Sequence, residues 1–243
     1  MSIKRNKQGF ETRAIHAGQE PDPTTGAIMT PIYTSSTYVQ ESPGVHKGFD
    51  YSRSINPTRK AFEECIASLE NGEVGFGFSS GVAAISACVE LLSPGDHVIA
   101  MDDLYGGTYR LFENVRKRSS NLEFSFVDLS NIETHKENLK PNTKMIWVES
   151  PSNPLLKVVD LKRVSEFAKE NNLLCVCDNT FCSPFVQRPL DLGFDIVVHS
   201  ATKYLNGHSD VVGGMAICSE GNTGLAERLG FLSNSVGSIM SPF

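Results

Sequence analysis

The stretch "DIVVHSATKYLNGHSD", Asp195–Asp210, passes from an apolar run, Ile196 to Val198, directly into a histidine, two hydroxyls and a lysine. A short continuous run of β-branched residues reads as a strand buried on both faces, the kind found in a parallel sheet covered by helices. The same alternation of buried strand and polar turn recurs on either side. Val74–Phe78, His97–Met101, Glu123–Val127, Lys144–Val148, Leu173–Cys177 and Met215–Cys218 read as further strands, with helices expected over 58–69, 81–92, 108–117 and 161–171. The first helix is entered through Asn56-Pro57, and its Phe62, Cys65, Ile66 and Leu69 fall at i, i+3, i+4 and i+7. The expected fold is therefore α/β, a mainly parallel sheet with helices on both faces. Ahead of it, residues 20–48 are rich in Pro, Thr, Ser and Gly without a helical period, and read as an extended N-terminal arm.

Composition excludes several classes of function. The chain has 243 residues, 40% hydrophobic and 21% charged, which suffices for one substantial core. A formal charge of −6 and the lack of any basic run argue against a nucleic-acid partner. The N-terminus lacks the apolar segment of a secretory signal, and no run approaches the ~18 apolar residues of a membrane span, so a cytoplasmic protein without a membrane partner is expected. Six cysteines lie mostly within apolar runs, where a thiol behaves as a small hydrophobe. Cys175-Val-Cys177 is the only close pair and lacks the second ligand pair of a zinc site, so no metal is expected.

In open α/β sheets ligands bind beyond the carboxyl ends of the strands, so the residues after each strand carry the functional reading. Here they are "SSG" (Ser79–Gly81), "DDLYGGT" (Asp102–Thr108), "ESPSNP" (Glu149–Pro154), "DNTF" (Asp178–Phe181) and "HSATKY" (His199–Tyr204). Together they match the needs of pyridoxal 5'-phosphate: an amine for its aldehyde, a carboxylate for its ring nitrogen, and donors for its phosphate. Lys203 is the candidate amine and Asp178 the candidate carboxylate. The helix start at Gly81 offers the N–H groups of Gly81 and Val82 with the positive end of its dipole. Ser200 and Thr202 flank the lysine and, at strand spacing, would bring both hydroxyls to the phosphate; Tyr105 would stack on the ring.

The segments "SATKYLNGHSDVVGG", "DNTF", "MDDLYGGTYR", "SSG" and "YSRSINPTR" resemble the Cys/Met-metabolism group of fold-type I pyridoxal-phosphate enzymes, in particular cystathionine γ-lyases and γ-synthases. The resemblance runs from about Thr12 to the last residue. It implies that Lys203 carries the cofactor, that Asp178 pairs with the pyridinium, and that Tyr105 stacks and assists proton transfer. It also implies that Tyr51 and Arg53 reach the phosphate of a neighbouring subunit, in a homodimer of shared sites paired into a tetramer, and that Asn153 lies near the cofactor ring oxygen and the substrate. Ile55 stands where the family more often has a small or polar residue. The expected organisation is an oligomerisation arm over 1–50 and a large cofactor-binding domain over 51–243, without the C-terminal domain that supplies relatives with an arginine for the substrate carboxylate.

Each of these residues has a plainer reading. A lone lysine after a strand is usually solvated, Asp178 alone would cap a turn, Tyr105 would be a half-buried aromatic, and Arg53 a surface ion-pair residue. His199 and His208 read as makers of structural hydrogen bonds. The shared location of the set at strand ends outweighs these readings. "GFGFSSG" imitates a dinucleotide loop, but its glycines are spaced one residue too far and two fall inside a strand, which disfavours an NAD-dependent oxidoreductase. A cofactor-binding protein with little turnover is a further alternative. The expectation is an enzyme acting on cystathionine or an activated homoserine, a small amino-acid substrate, by γ-elimination or γ-replacement. Asp50 favours γ-chemistry, because β-lyases resembling this chain tend to have an apolar residue there.

Overall fold

Asn56 and Pro57 start the first long helix as their chemistry requires. The Asn56 side chain accepts the N–H groups of Thr58 and Arg59, and Pro57 takes the first helical position, where no backbone N–H is needed. The computed structural model describes residues 8–243, with the backbone alone at 132 and 133. In chain order its elements are α1 (Phe10–His16), α2 (Pro57–Leu69), β1 (Val74–Phe78), α3 (Gly81–Val89), β2 (His97–Met101), α4 (Gly106–Arg110), a π-helical turn (Leu111–Arg116), α5 (Lys117–Ser119), β3 (Glu123–Val127), α6 (Ile132–Glu137), β4 (Thr143–Glu149), α7 (Leu161–Glu170), β5 (Leu174–Asp178), α8 (Ser183–Val186), a 3-10 turn (Pro189–Leu192), β6 (Ile196–His199), β7 (Gly214–Cys218) and α9 (Thr223–Val236).

The strands form one sheet in the order β1-β7-β6-β5-β4-β2-β3. The pairings of β2 with β3 and β4, of β4 with β5, and of β5 with β6 are parallel, while β7 runs antiparallel to both β1 and β6. The expected mainly parallel sheet is thus present with one strand reversed. Alternation along β7 shows that both faces are covered. Met215 and Ile217 join Cys65, Ile66 and Leu69 of α2 in one core, and Ala216 and Cys218 join the larger core with α3 and α9. The central strands are buried throughout, β2 and β6 at every residue, which is why their sequences read as unbroken apolar runs.

Gly75 and Gly77 lie inside β1, directly beneath α2. A Cβ on Gly75 would come within 2.8 Å of the Glu63 carbonyl oxygen, and one on Gly77 within 3.3 Å of the Arg59 side chain. Those glycines let a helix approach a strand; they are not a phosphate loop. The N-terminal segment is mostly exposed and irregular from Gln19 to Gly48, as its composition leads one to expect, but α1 precedes it and docks on α2 through Arg13, which bonds the Ser68 carbonyl and, at 2.9 Å, Asn71 Oδ1. Of the expected 1–50 arm, residues 1–7 lie outside the described residues.

Candidate active site

The carboxyl ends of β4, β5 and β6 and the start of α3 enclose a cleft of about 230 Å³. Lys203, Asp178, Ser200 and Thr202 line it, and so do Gly81, Val82, Tyr105 and Asn153. Residues up to 122 positions apart in the chain therefore meet at one sheet edge.

Gly81 opens α3 because nothing larger fits. A Cβ there would sit 2.8 Å from the Ser200 Cβ, so the helix start and the turn after β6 touch backbone to side chain. Ser80 caps the helix by accepting the Ala83 N–H at 3.1 Å, and its carbonyl takes the Ala84 N–H, which leaves the N–H groups of Gly81 and Val82 to face the cleft. Tyr105 is the residue before α4, its ring folded over Gly107: a Cβ at Gly107 would meet the ring at 2.3 Å. The helix accordingly begins at Gly106, two residues before the expected 108.

Ser200 and Thr202 do reach the cleft, but the strand spacing expected of them is wrong. β6 ends at His199, and the chain then turns, with the Lys203 N–H bonded to the Ser200 carbonyl and Thr202 tied through its hydroxyl and its N–H to Gly213. The polar run and Asn206-Gly207, with Gly207 at φ +78°, favour a tight turn over a strand extension. Lys203 is exposed in the single chain.

Asp178 ends β5, and Thr180 fixes it by donating both its N–H, at 3.1 Å, and its hydroxyl, at 2.5 Å, to Oδ1. The same hydroxyl accepts the Ser200 N–H at 2.8 Å, so Thr180 joins the carboxylate to the turn bearing Lys203. Behind the sheet edge, buried His199 bonds Glu70 Oε1 at 2.6 Å, and Asn179 bonds the same oxygen at 2.8 Å. His208 bonds the Asn206 carbonyl at 2.9 Å. Both histidines thus make hydrogen bonds to their own chain.

Sequence reasoning passed over Glu149 and Thr180, which also line the cleft. The D-x-T spacing of an aspartate turn was the available signal for Thr180. Glu149 is the last residue of β4, paired in register with Asp178, and its Oε2 accepts the Tyr105 N–H at 2.9 Å. Burial, then the Asp178 charge, raises its pKa to about 8, and burial likewise raises that of Asp178 against the opposing Thr180 bonds. The sign of the consequence is fixed. Between the ordinary glutamate range and about pH 8 the native chain keeps a proton that the unfolded chain releases, so stability falls as pH rises through that window. Glu149→Gln removes the titration, and urea unfolding at pH 5 and pH 8 should show the variant gaining on the cofactor-free wild type by on the order of 2 kcal/mol at the higher pH. Parallel pH dependence in the two proteins would contradict the assignment.

Tyr51 and Arg53 stand apart from this cleft. The Arg53 guanidinium lies 5.4 Å from the Tyr51 ring centroid and donates to the Asn234 carbonyl at 2.6 Å. Their turn is held from within: buried Arg59 donates to the carbonyls of Ser52, Arg53 and Ser54 and to Glu63, whose other bond comes from the Gly77 N–H.

An amine, a buried carboxylate, two helix-start N–H groups beside a serine hydroxyl and an aromatic ring provide for the aldehyde, ring nitrogen, phosphate and ring face of pyridoxal phosphate, so the residues fit it. The sequence model of the Cys/Met metabolism PLP-dependent enzymes matches residues 11–243. The chain belongs to that family. Cystathionine beta-lyase of Coxiella burnetii is 61% identical over 244 residues, covering 100% of this chain and 63% of that protein. A probable cystathionine gamma-synthase of Herpetosiphon aurantiacus is 48% identical, covering 97% and 73%. The crystal structure of cystathionine gamma-lyase from Lactobacillus plantarum complexed with L-serine superposes with a TM-score of 0.93 at 46% identity, over 97% of this chain and 61% of that one. The chain spans less than two thirds of the length of the first and third of these proteins. Membership in this pyridoxal-phosphate family, with its fold-type I architecture, rules out the dinucleotide reading of "GFGFSSG".

Proposed function

We propose that this chain is the cofactor-bearing part of a pyridoxal-phosphate enzyme that acts on cystathionine or an activated homoserine by γ-elimination or γ-replacement. One observation carries the reading: Lys203 and Asp178 line a single cleft together with Gly81, Val82 and Ser200. When bound, the cofactor supplies an electron sink for the pair left when a proton leaves the substrate α-carbon. Lys203 would hold the cofactor by its amine and, once released, move the α-proton. Asp178, oriented by Thr180, would keep the proton on the ring nitrogen. Gly81, Val82, Ser200 and Thr202 would take the phosphate, Tyr105 would cover the ring, and Asn153 would meet the substrate.

Tyr51 and Arg53 belong to this proposal as phosphate ligands for a second copy of the chain, in a dimer of shared sites paired into a tetramer. That they do not line the cleft of their own chain, and that Arg59 anchors their turn, support that role. A second reading, β-elimination, is favoured by the 61% identity to a protein named cystathionine beta-lyase, against which Asp50 speaks for γ-chemistry. Product analysis with the full protein decides. Cystathionine should yield 2-oxobutanoate, cysteine and ammonia, or an activated homoserine with cysteine should yield cystathionine. Pyruvate and homocysteine from cystathionine would replace the γ reading by the β one, and the absence of all these products would overturn both.

A further inference from the structure

Glu149 performs none of the steps above, yet it holds a residue that does. Its Oε2 accepts the Tyr105 N–H at 2.9 Å. Tyr105 comes from the loop after β2, and Glu149 ends β4 just ahead of the loop that carries Asn153, so a single buried side chain ties the one loop to the strand that leads into the other. The junction is reinforced by Asp103, which accepts the Ser152 hydroxyl and, at 2.9 Å, the Leu155 N–H. As the residue before α4, Tyr105 has no intrahelical partner for its N–H, and without Glu149 that part-buried donor would lose its acceptor.

We propose that Glu149 is a positioning residue that registers Tyr105 over the cofactor ring through an acceptor oxygen of its carboxyl group. The proposal rests on the reading of the cleft as a pyridoxal-phosphate site. What matters in it is the acceptor, not the charge. Burial and the neighbouring Asp178 hold Glu149 largely protonated at neutral pH, with Asp103 adding to the same repulsion, and a neutral carboxyl still accepts through its carbonyl oxygen. An amide offers the same oxygen; an alkyl chain of similar size does not.

The test reads cofactor geometry and affinity, not turnover. Pyridoxal phosphate is titrated into the full chain, and both the dissociation constant and the circular dichroism of the cofactor's visible band are recorded. That band gains optical activity when the ring is held in one asymmetric setting. Glu149→Gln is expected to keep both within about twofold, and Glu149→Leu to lose most of the visible dichroism and bind about tenfold more weakly. Because the effect runs through Tyr105, Glu149→Leu combined with Tyr105→Ala should bind no more weakly than Tyr105→Ala alone. A purely architectural role would give additive losses instead and overturn the proposal. So would a leucine variant that matches wild type, or a glutamine variant weakened about tenfold; the glutamine arm decides even if the leucine protein does not fold. If the wild type itself forms no borohydride-stable adduct on Lys203, the cofactor reading fails first and takes this inference with it.

Discussion

Lys203→Ala is expected to lower turnover by about 10³-fold or more while leaving the unfolding transition where it is. The lysine is asked to do two things, hold the cofactor covalently and move the α-proton, and general acid–base catalysis alone contributes about 10²–10⁴-fold. A loss of 10³ corresponds to about 4 kcal/mol of transition-state stabilisation. Stability should not follow, because Lys203 is exposed in the single chain and, among the described residues, its ammonium group makes no hydrogen bond. Steady-state kinetics beside a urea titration separate the two effects. Turnover within tenfold of wild type would remove Lys203 from the chemistry, and a large fall in stability would make it a structural residue.

Asp178→Asn should retain the cofactor and lose most of the turnover, by about 10²-fold or more, since an amide cannot hold a proton on the ring nitrogen as a carboxylate does. The substitution is conservative in shape. Asn keeps an oxygen to accept from Thr180, so the link from β5 to the turn bearing Lys203 survives. In the cofactor-free chain the same change should stabilise, and more so at higher pH. Asp178 is a buried carboxylate whose pKa is pushed up by desolvation, so its ionisation costs native stability as pH rises above the unfolded aspartate range. Substitution also relieves Glu149 of its charged neighbour. An Asn variant with normal rates, or one destabilised at pH 8, would contradict both parts of this account.

The strand pattern was legible because the sheet is covered on both faces. Val74–Phe78, His97–Met101 and Glu123–Val127 fall where the apolar runs place them, and the others shift by a residue at one or both ends. Four helices, α1, α6, α8 and α9, go unread in the sequence, and two of them show why. α9 carries Gly224 and Gly230, poor helix formers, and buries only Leu225 and Leu229 along its length, so its periodic signal is thin. α6 is six residues with a polar sequence, too short to show a period. That Lys203, Asp178 and Gly81 line one cleft was legible, because their shared place at strand ends outweighs the plain reading of each. The supporting parts of the site were not. Glu149 and Thr180 act through backbone contacts to other loops, and only the folded chain shows that the last residue of β4 sits beneath Tyr105. The turn after His199 was misread as strand because alternation of Ser200 and Thr202 around Ala201 imitates a period of two, while the bonds to Gly213 that fix the turn come from a distant part of the chain.

The central claim, that Lys203 carries the cofactor, has a direct test. The protein is saturated with pyridoxal phosphate, reduced with borohydride, digested and mapped by mass spectrometry. The account predicts a single stable adduct on the peptide containing Ser200, Thr202 and Lys203, and none in Lys203→Ala. An adduct on another lysine, such as Lys157, whose ammonium group is paired with Asp102 at 2.7 Å, would contradict it.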